Sequence, residues 1–334
     1  MKAESEVKEP GKPLSFTSTG PSDAPVINHE RNALRVGKWA NLSMAGAGII
    51  AAWASHSDAM LVDGLYSGVN FLSAIAAARI GSRVGLPATR SRPWGQDFDE
   101  TLYVTFRSLI LVGVLGFAAI LSMSKILTFA TGGEVPTLNF VPIAVYSVVI
   151  VLICAGLAIN YRRAYAKSGG QSAILKTESK AAMVDGVLSV GAGAALLSLP
   201  LLKDTPLAPF MPIGDAVVVL ILIAVIIWQP LASFRQTLAE LAGVSAPAST
   251  VSMVAKTARN AARAEGFVFR RVAVLRAGRF HFAAIYIDPT RPVEATEIDA
   301  FHNTVKIALE KAIGPTRTEI IVTARSRSLP PGLP

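Results

Sequence analysis

The stretch VPIAVYSVVIVLICAGLAI, residues 141–159, contains no charged side chain. A bilayer core about 30 Å thick is crossed by roughly 20 apolar residues of α-helix, so this stretch predicts a membrane-spanning helix over 138–160. Similar stretches occur on both sides of it in the chain. The sequence therefore predicts a multi-pass α-helical membrane protein with six transmembrane helices, the other five lying near 35–54, 57–79, 101–127, 181–202 and 212–233.

The composition of the whole chain agrees with this class. Hydrophobic residues make up 51% of the 334 residues, charged ones 16%, and the mean hydropathy is +0.46, a balance that soluble domains of this length do not reach. The net charge of +9 does not indicate a nucleic-acid partner, because the basic residues are spread over many loops instead of one face. They indicate cytoplasmic loops and the headgroups of a lipid bilayer.

The positions of lysine and arginine also predict the orientation. They are concentrated in the loops after the second and fourth predicted helices, whereas the opposite loops hold few cations. By the positive-inside rule, both termini then face the cytoplasm. The cations concerned are Arg79, Arg83, Arg90, Arg92, Arg162, Arg163, Lys167 and Lys176.

The chain divides into four predicted parts. Residues 1–30 are rich in Lys, Glu, Pro, Ser and Gly, which predicts a disordered tail. Residues 31–235 contain the six predicted helices and form the transmembrane domain. Residues 236–327 have the patterns of a soluble fold, and 328–334 form a short second tail.

The soluble part, on the cytoplasmic side, shows an α-β-β-α-β order. Helical spacing of apolar residues predicts helices over 248–264 and 294–312. Alternating runs predict strands over 269–276 and 279–287, joined by a turn, and a last strand over 318–323. This order predicts a small α+β, ferredoxin-like (αββαβ) domain with both helices on one face of the sheet.

Two distant segments read alike. Residues 59–67 are AMLVDGLYS and residues 181–189 are AAMVDGVLS, which places Asp63 in the second predicted helix and Asp185 in the fifth. An unpaired carboxylate in lipid costs at least a few kcal/mol, so both side chains should face the interior of the bundle. Such symmetry is expected of a transport site between repeated segments. The structural alternative is that both aspartates only hydrogen-bond across helix interfaces.

Further oxygen atoms accompany the first aspartate. Tyr66, Ser67 and Asn70 follow Asp63 by three, four and seven residues, which places them on the same face of a helix. Carboxylate, amide and hydroxyl oxygens in such a stripe are suited to a hard or borderline divalent cation.

These segments resemble the cation diffusion facilitator family of metal-ion exporters. The second-helix pattern of that family is Ser-x-Ala-Leu-x-x-Asp-Ala/Gly-x-His/Asp-Ser-x-x-Asp, to which SHSDAMLVDGLYSGVNFLSA (55–74) is similar. RPWGQDFDETL (92–102) and LKTESKAAMVDG (175–186) resemble the starts of its third and fifth helices. The resemblance extends over about 30–328, and the matching residues are Ser57, Ala59, Asp63, Gly64, Ser67, Pro93, Gly95, Glu100, Leu175, Lys176 and Asp185.

The resemblance implies a secondary transporter that exports a divalent metal cation, such as Mn, Fe, Mg, Zn or Co, against protons. It also implies a homodimer, no resident cofactor, and a location in the bacterial inner (plasma) membrane. Typical members hold the metal with four ligands, two on each of two helices. Here the second-helix pair falls at Tyr66 and Asn70, or at Asp63 and Ser67 in a shifted register, and the fifth-helix pair falls at Ala181 and Asp185.

The usual zinc site is therefore at best partial, and a mixed set of oxygen ligands is predicted. Such a set favours Mn, Mg or Fe(II) over zinc. Its members are Asp63, Asp185, Asn70, Tyr66 and Ser67.

The replaced ligands leave a second interpretation open, in which a degenerate family member no longer transports and acts as a regulatory or scaffolding membrane protein. An enzyme is not expected, because the sequence offers neither a nucleophile with its base nor a Walker-type phosphate loop. His281 and His302 lack the paired cysteines or acidic neighbours of a metal sensor and are predicted to be ordinary half-buried histidines.

Overall fold

A computed structural model describes residues 24–81, 98–167, 173–206, 208–278 and 280–324. These residues form nine α-helices and a three-stranded sheet. The elements are α1 (Ala24–Ser55), α2 (Asp58–Gly81), α3 (Phe98–Ala130), α4 (Phe140–Lys167), α5 (Ala173–Ser198), α6 (Gly214–Ile226), α7 (Trp228–Leu241), α8 (Ala248–Ala264), β1 (Val268–Ala277), β2 (Phe280–Asp288), α9 (Ala295–Ile313) and β3 (Thr316–Val322). Two short 3-10 helices, Leu199–Asp204 and Ala208–Ile213, connect α5 to α6.

Five helical segments in the described residues are long and apolar enough to cross a membrane, which confirms the multi-pass α-helical class. They are Asp58–Ile80, Phe98–Ala130, Phe140–Lys167, Glu178–Asp204 and Ala208–Ile226. The first predicted span, 35–54, lies inside α1, which is long enough but not among the five. Its many small and polar residues, together with Arg35 and Lys38, lower its hydropathy. The count of six spans therefore stays a prediction.

The last predicted span, 212–233, is two helices in the structure. α6 ends at Ile226 and α7 begins at Trp228. Pro230 has no backbone N–H and cannot donate to the Ile226 carbonyl four residues earlier. The ladder is intact on either side, because the amides of Ile227 and Leu231 donate to Ile223 and Ile227. The single missing hydrogen bond accounts for the division between α6 and α7 at Ile227.

The N-terminal boundary also differs from the prediction. α1 begins at Ala24, inside the predicted tail of 1–30. Pro25 stands in the first turn of α1, where its missing N–H would have had no helical partner in any case. The predicted disorder of residues 1–23, the loop residues Arg83, Arg90, Arg92, Pro93 and Gly95, and the tail 328–334 lie outside the described residues.

The transmembrane helices pack through a shared core. α1 lies against α2 and α4, α4 lies against α5, and α3 contacts α2, α6 and α7. The buried stripe of α4 includes Ile143, Tyr146, Ile150, Cys154 and Leu157, at the three- and four-residue spacing of one helix face. This stripe places α4 between α1 and α5.

The C-terminal domain forms a sheet of order β1-β2-β3. β1 is antiparallel to β2, and β2 is parallel to β3. α8 matches the predicted helix 248–264, whereas β3 begins two residues before the predicted strand 318–323. α8 and α9 pack on the sheet around a common core of Val254, Val274, Ile285, Phe301, Val305 and Leu309. The αββαβ order is thus confirmed, and the ferredoxin-like assignment stays a prediction.

The two histidines of the domain are half-buried, as expected. The ring nitrogen Nε2 of His302 lies 2.8 Å from the Thr318 carbonyl oxygen. Burial, reinforced by Arg276, lowers the pKa of His281 below its ordinary 6.5. Nearby on the sheet, Arg270 donates to Asp288 over 2.5 Å and lowers the pKa of that carboxyl.

The domain touches the start of α3 and the end of α7. The rings of Phe98 and Phe282 stack with centroids 5.4 Å apart, and Arg276 Nε lies 3.6 Å from the carboxylate of Glu240. At the turn between β1 and β2, Gly278 adopts a φ of 59° against Glu100, where an added Cβ would approach the carboxylate to 3.0 Å. These contacts join the sheet to one end of the bundle.

Candidate functional site

A cavity of about 90 Å³ lies inside the bundle, where α2, α4, α5 and α6 meet. Its walls are mainly apolar, from residues such as Met44, Leu115 and Ile223. Oxygen atoms enter it from three helices: Asp63, Tyr66 and Ser67 of α2, Tyr146 and Ser147 of α4, and Asp185 and Ser189 of α5. The structure thus brings together the two carboxylates of the repeated motif, each on its own helix. They are close enough to interact electrostatically.

The carboxylate of Asp63 has one direct partner among the described side chains. The hydroxyl of Tyr146 donates to its Oδ2 over 2.5 Å. Tyr146 belongs to the buried stripe of α4 and was not predicted from the sequence. The available signal was Tyr146-Ser147, a pair of hydroxyl groups in the middle of an otherwise apolar run.

The glycine that follows each aspartate of the repeat packs against a neighbouring helix. Gly64 packs against α1 so closely that an added Cβ would lie 3.0 Å from the Gly48 carbonyl carbon. A Cβ on Gly186 would lie 3.2 Å from the Cβ of Cys154. Small residues let neighbouring helix backbones approach. Each glycine therefore brings a neighbouring helix, α1 or α4, against the turn that carries the aspartate.

Asn70 does not line this cavity. Its Oδ1 accepts a hydrogen bond of 3.0 Å from Arg107 Nη2 on α3. Arg107 is partly buried, and its Nε has no hydrogen-bond partner among the described residues, so the guanidinium depends on the acceptors that its neighbours offer. The structure places Asp63, Asp185, Tyr66 and Ser67 around the cavity. Asn70 lies beside it, hydrogen-bonded to the guanidinium of Arg107.

The chemistry of the cavity is that of oxygen ligands. Within the described ranges there is no group of three or more His, Cys, Asp or Glu residues that could hold a metal ion. Ala181, at a usual ligand position, has no donor atom, and His56 is exposed in the turn between α1 and α2. Two carboxylates with hydroxyl groups can bind a hard cation together with water.

A second group of charges lies at the start of α2. Asp215, the second residue of α6, is fully buried. It accepts hydrogen bonds from Ser57 Oγ at 2.7 Å and from the backbone amides of Asp58 at 2.7 Å and Ala59 at 3.4 Å. Lys125 Nζ on α3 lies 3.3 Å from Asp215 and 3.4 Å from Asp58. A negative group at a helix N-terminus is favourable, so Asp215 fixes α6 to the start of α2. Sequence analysis did not identify this network.

Comparison with known proteins agrees with this arrangement. Residues 34–242 match the family model described as the cation efflux transmembrane domain. No curated protein matches the chain. The matched segment contains both Asp-Gly motifs and the whole cavity between them. Because the match covers more than half of the chain, this integral membrane protein belongs to the cation efflux, or cation diffusion facilitator, family of metal-cation transporters.

Proposed function

We propose that the protein is a secondary transporter that exports a divalent metal cation, with Asp63 and Asp185 as its charged ligands. The observation that carries this proposal is the convergence of the two carboxylates, from α2 and α5, on one cavity. A carboxylate surrounded by apolar helices is costly unless a cation, a donor or water compensates it. Tyr146 compensates Asp63 in part, and a bound cation would compensate both aspartates at once.

The charged ligands in this proposal are Asp63 and Asp185, and Tyr66 and Ser67 are the further oxygen ligands. Asn70, predicted as a further ligand, joins the set only when Arg107 releases its Oδ1. The cavity of about 90 Å³ has room for an ion with several waters, because one water needs only about 10–15 Å³ of this kind of volume. An oxygen-only set of this kind favours Mn²⁺, Mg²⁺ or Fe²⁺ over Zn²⁺.

Proton antiport, a homodimeric state, a bacterial inner membrane and cytoplasmic termini complete the proposal. The carboxylates of Asp63 and Asp185 support an exchange of the cation for protons, because a carboxylate that releases a cation can accept a proton in its place. The cations near the inner ends of α2, α4 and α5, such as Arg79, Arg162 and Lys176, support the orientation through the positive-inside rule.

Cation flux into proteoliposomes tests the proposal. Mn²⁺, Mg²⁺, Fe²⁺, Co²⁺ and Zn²⁺ are compared for the native protein and for the variants Asp63→Asn and Asp185→Asn. Asp204→Asn is the matched control, because Asp204 is exposed and does not line the cavity. Flux of at least one cation should be lost in both cavity variants and kept in the control. Equal flux in all four proteins contradicts the assignment.

A regulatory or scaffolding role is the second candidate, and two observations favour it. Ala181 supplies no ligand, and Asn70 is occupied by Arg107. This role predicts no stabilisation by any metal. A transporter with a working site should instead gain about 2.7 kcal/mol of stability at a cation concentration one hundred times the dissociation constant, which a thermal-shift screen of the purified protein measures.

A further inference from the structure

A second cavity, which we call the vestibule, lies at the end of the bundle away from the C-terminal domain. It measures about 570 Å³ and is lined by residues of α1, α2, α3 and the α3–α4 loop, among them His56, Asp58, Lys125 and Glu134. Its position follows from α3, whose first residue, Phe98, contacts the sheet. Lys125 stands 27 residues further along α3, or about 40 Å at 1.5 Å per residue.

The charged network of Asp58, Lys125 and Asp215 lies between the vestibule and the inner cavity. Asp58 and Lys125 line the vestibule, whereas Ala59 and Met60, the next residues of α2, line the inner cavity. On α6, Val219 lines the inner cavity one turn after Asp215. The network therefore forms part of the wall between the two spaces, next to Met60 and Val219, which line the inner cavity.

The three side chains are not held equally firmly. Asp215 is fully buried and receives three hydrogen bonds from the start of α2, two of them at 2.7 Å. The Lys125 ammonium is held by three longer contacts of 3.3 to 3.4 Å, to Asp215, Asp58 and the His56 carbonyl. Lysine also carries its charge on a flexible four-carbon stem. Lys125 is thus the part of the wall that can leave without separating α2 from α6.

We propose that Lys125 is the gate of the transport route on the vestibule side. This inference rests on the proposed function in assuming that the inner cavity is the transport site. With its ammonium between Asp58 and Asp215, the cavity is closed toward the vestibule. When the ammonium moves away, the two carboxylates face the route and a departing divalent cation passes between them. The tethered ammonium carries the same sign of charge as that cation, so the two compete for the same oxygens.

Thiol labelling of the inner cavity tests the gate without depending on transport. Ser189 lines the cavity, so Ser189→Cys in a Cys154→Ala background is the reporter. A membrane-impermeant methanethiosulfonate is applied separately to each face of the membrane, in cells and in inverted vesicles. Lys125→Met keeps the apolar stem and removes the charge. Thr128→Ala is the matched control, because Thr128 also lines the vestibule but its hydroxyl donates only to the Ser124 carbonyl of its own helix.

Lys125→Met should raise the labelling rate about tenfold, the factor that corresponds to the loss of one hydrogen bond between charged groups. The rise should be confined to the vestibule face, Thr128→Ala should label like the reporter alone, and Lys125→Arg should restore slow labelling. An unchanged rate in well-folded Lys125→Met overturns the gate. If Lys125→Met does not fold, Asp58→Asn decides in the same way, because it removes one of the two negative charges that hold the ammonium.

The outcomes of this test and of the transport test are distinguishable. Faster labelling in Lys125→Met without flux in the native protein supports Lys125 as the closure of the inner cavity and contradicts the transport role of that cavity. Metal flux with unchanged labelling in Lys125→Met supports the transporter and overturns the gate.

Discussion

The close approach of α1 and α2 at Gly48 and Gly64, next to the cavity, gives a quantitative prediction for Gly48→Ala. A Cβ on Gly48 would lie 2.5 Å from the Gly64 Cα and 3.0 Å from the Tyr146 hydroxyl, short of the 3.4 Å at which ordinary contact begins. The obstacle is backbone, so no side-chain rotation relieves it. Overpacking of this kind costs about 3 kcal/mol at the upper end of its usual range, and the better helix propensity of alanine returns about 1 kcal/mol. We expect a net loss of about 2 kcal/mol.

Thermal unfolding of the purified protein in detergent measures this loss. For a helical domain of about 200 residues the Tm should fall by roughly 4–8 °C. Gly46→Ala is the matched control on the same helix, because nothing lies within 4 Å of the added Cβ, and its Tm should stay equal or rise. A Gly48→Ala protein as stable as Gly46→Ala would refute the close packing of α1 on α2, and with it the positioning of Asp63.

Three further predictions follow from individual contacts. Tyr146→Phe removes the donor to Asp63 and should lower the free energy of unfolding by about 1–2 kcal/mol. Tyr103→Phe removes a hydrogen bond from α3 to the Ser73 carbonyl of α2 and should have no effect on cation binding. Ile285→Ala leaves a cavity in the core of the C-terminal domain, where Ile285 is fully buried, and should cost about 2–5 kcal/mol in denaturant unfolding. The pKa of Asp288 is lowered, so its ion pair with Arg270 stabilises the fold at pH values above the ordinary 3.8. This stabilisation is lost as the pH falls through the folded-state pKa. Asp288→Asn should therefore be less stable than the native protein at pH 7, and the difference should disappear in melts at acidic pH.

The two aspartates were predictable from sequence because the signal is local and repeated. Asp63 and Asp185 stand in matching motifs within apolar stretches, and burial of a charge constrains where such a residue points. α8 was predictable for a similar reason, since its apolar spacing is regular over 248–264. Tyr66 and Ser67 followed from their spacing to Asp63 on one helix, and both line the cavity.

The contacts between distant segments were not predictable in this way. Tyr146 reaches Asp63 only because α4 packs beside α2 and α1, across 83 positions of the chain. The bond between Asn70 and Arg107 depends on how α3 lies against α2. The membrane assignment of α1 is undecided by hydropathy because small residues, which favour close packing, also make a helix less hydrophobic.

The length of α3 has a mechanical consequence. This helix of 33 residues is a rod of about 50 Å, with the aromatic stack on the sheet near one end and the ammonium of Lys125 near the other. A tilt of about 10° around its centre would displace the two ends by roughly 4 Å in opposite directions and Lys125 by roughly 3 Å, a distance comparable to the length of the contacts that hold that ammonium. Because α3 is one rigid helix, a movement of its end at the sheet in one direction would move its other end in the opposite direction.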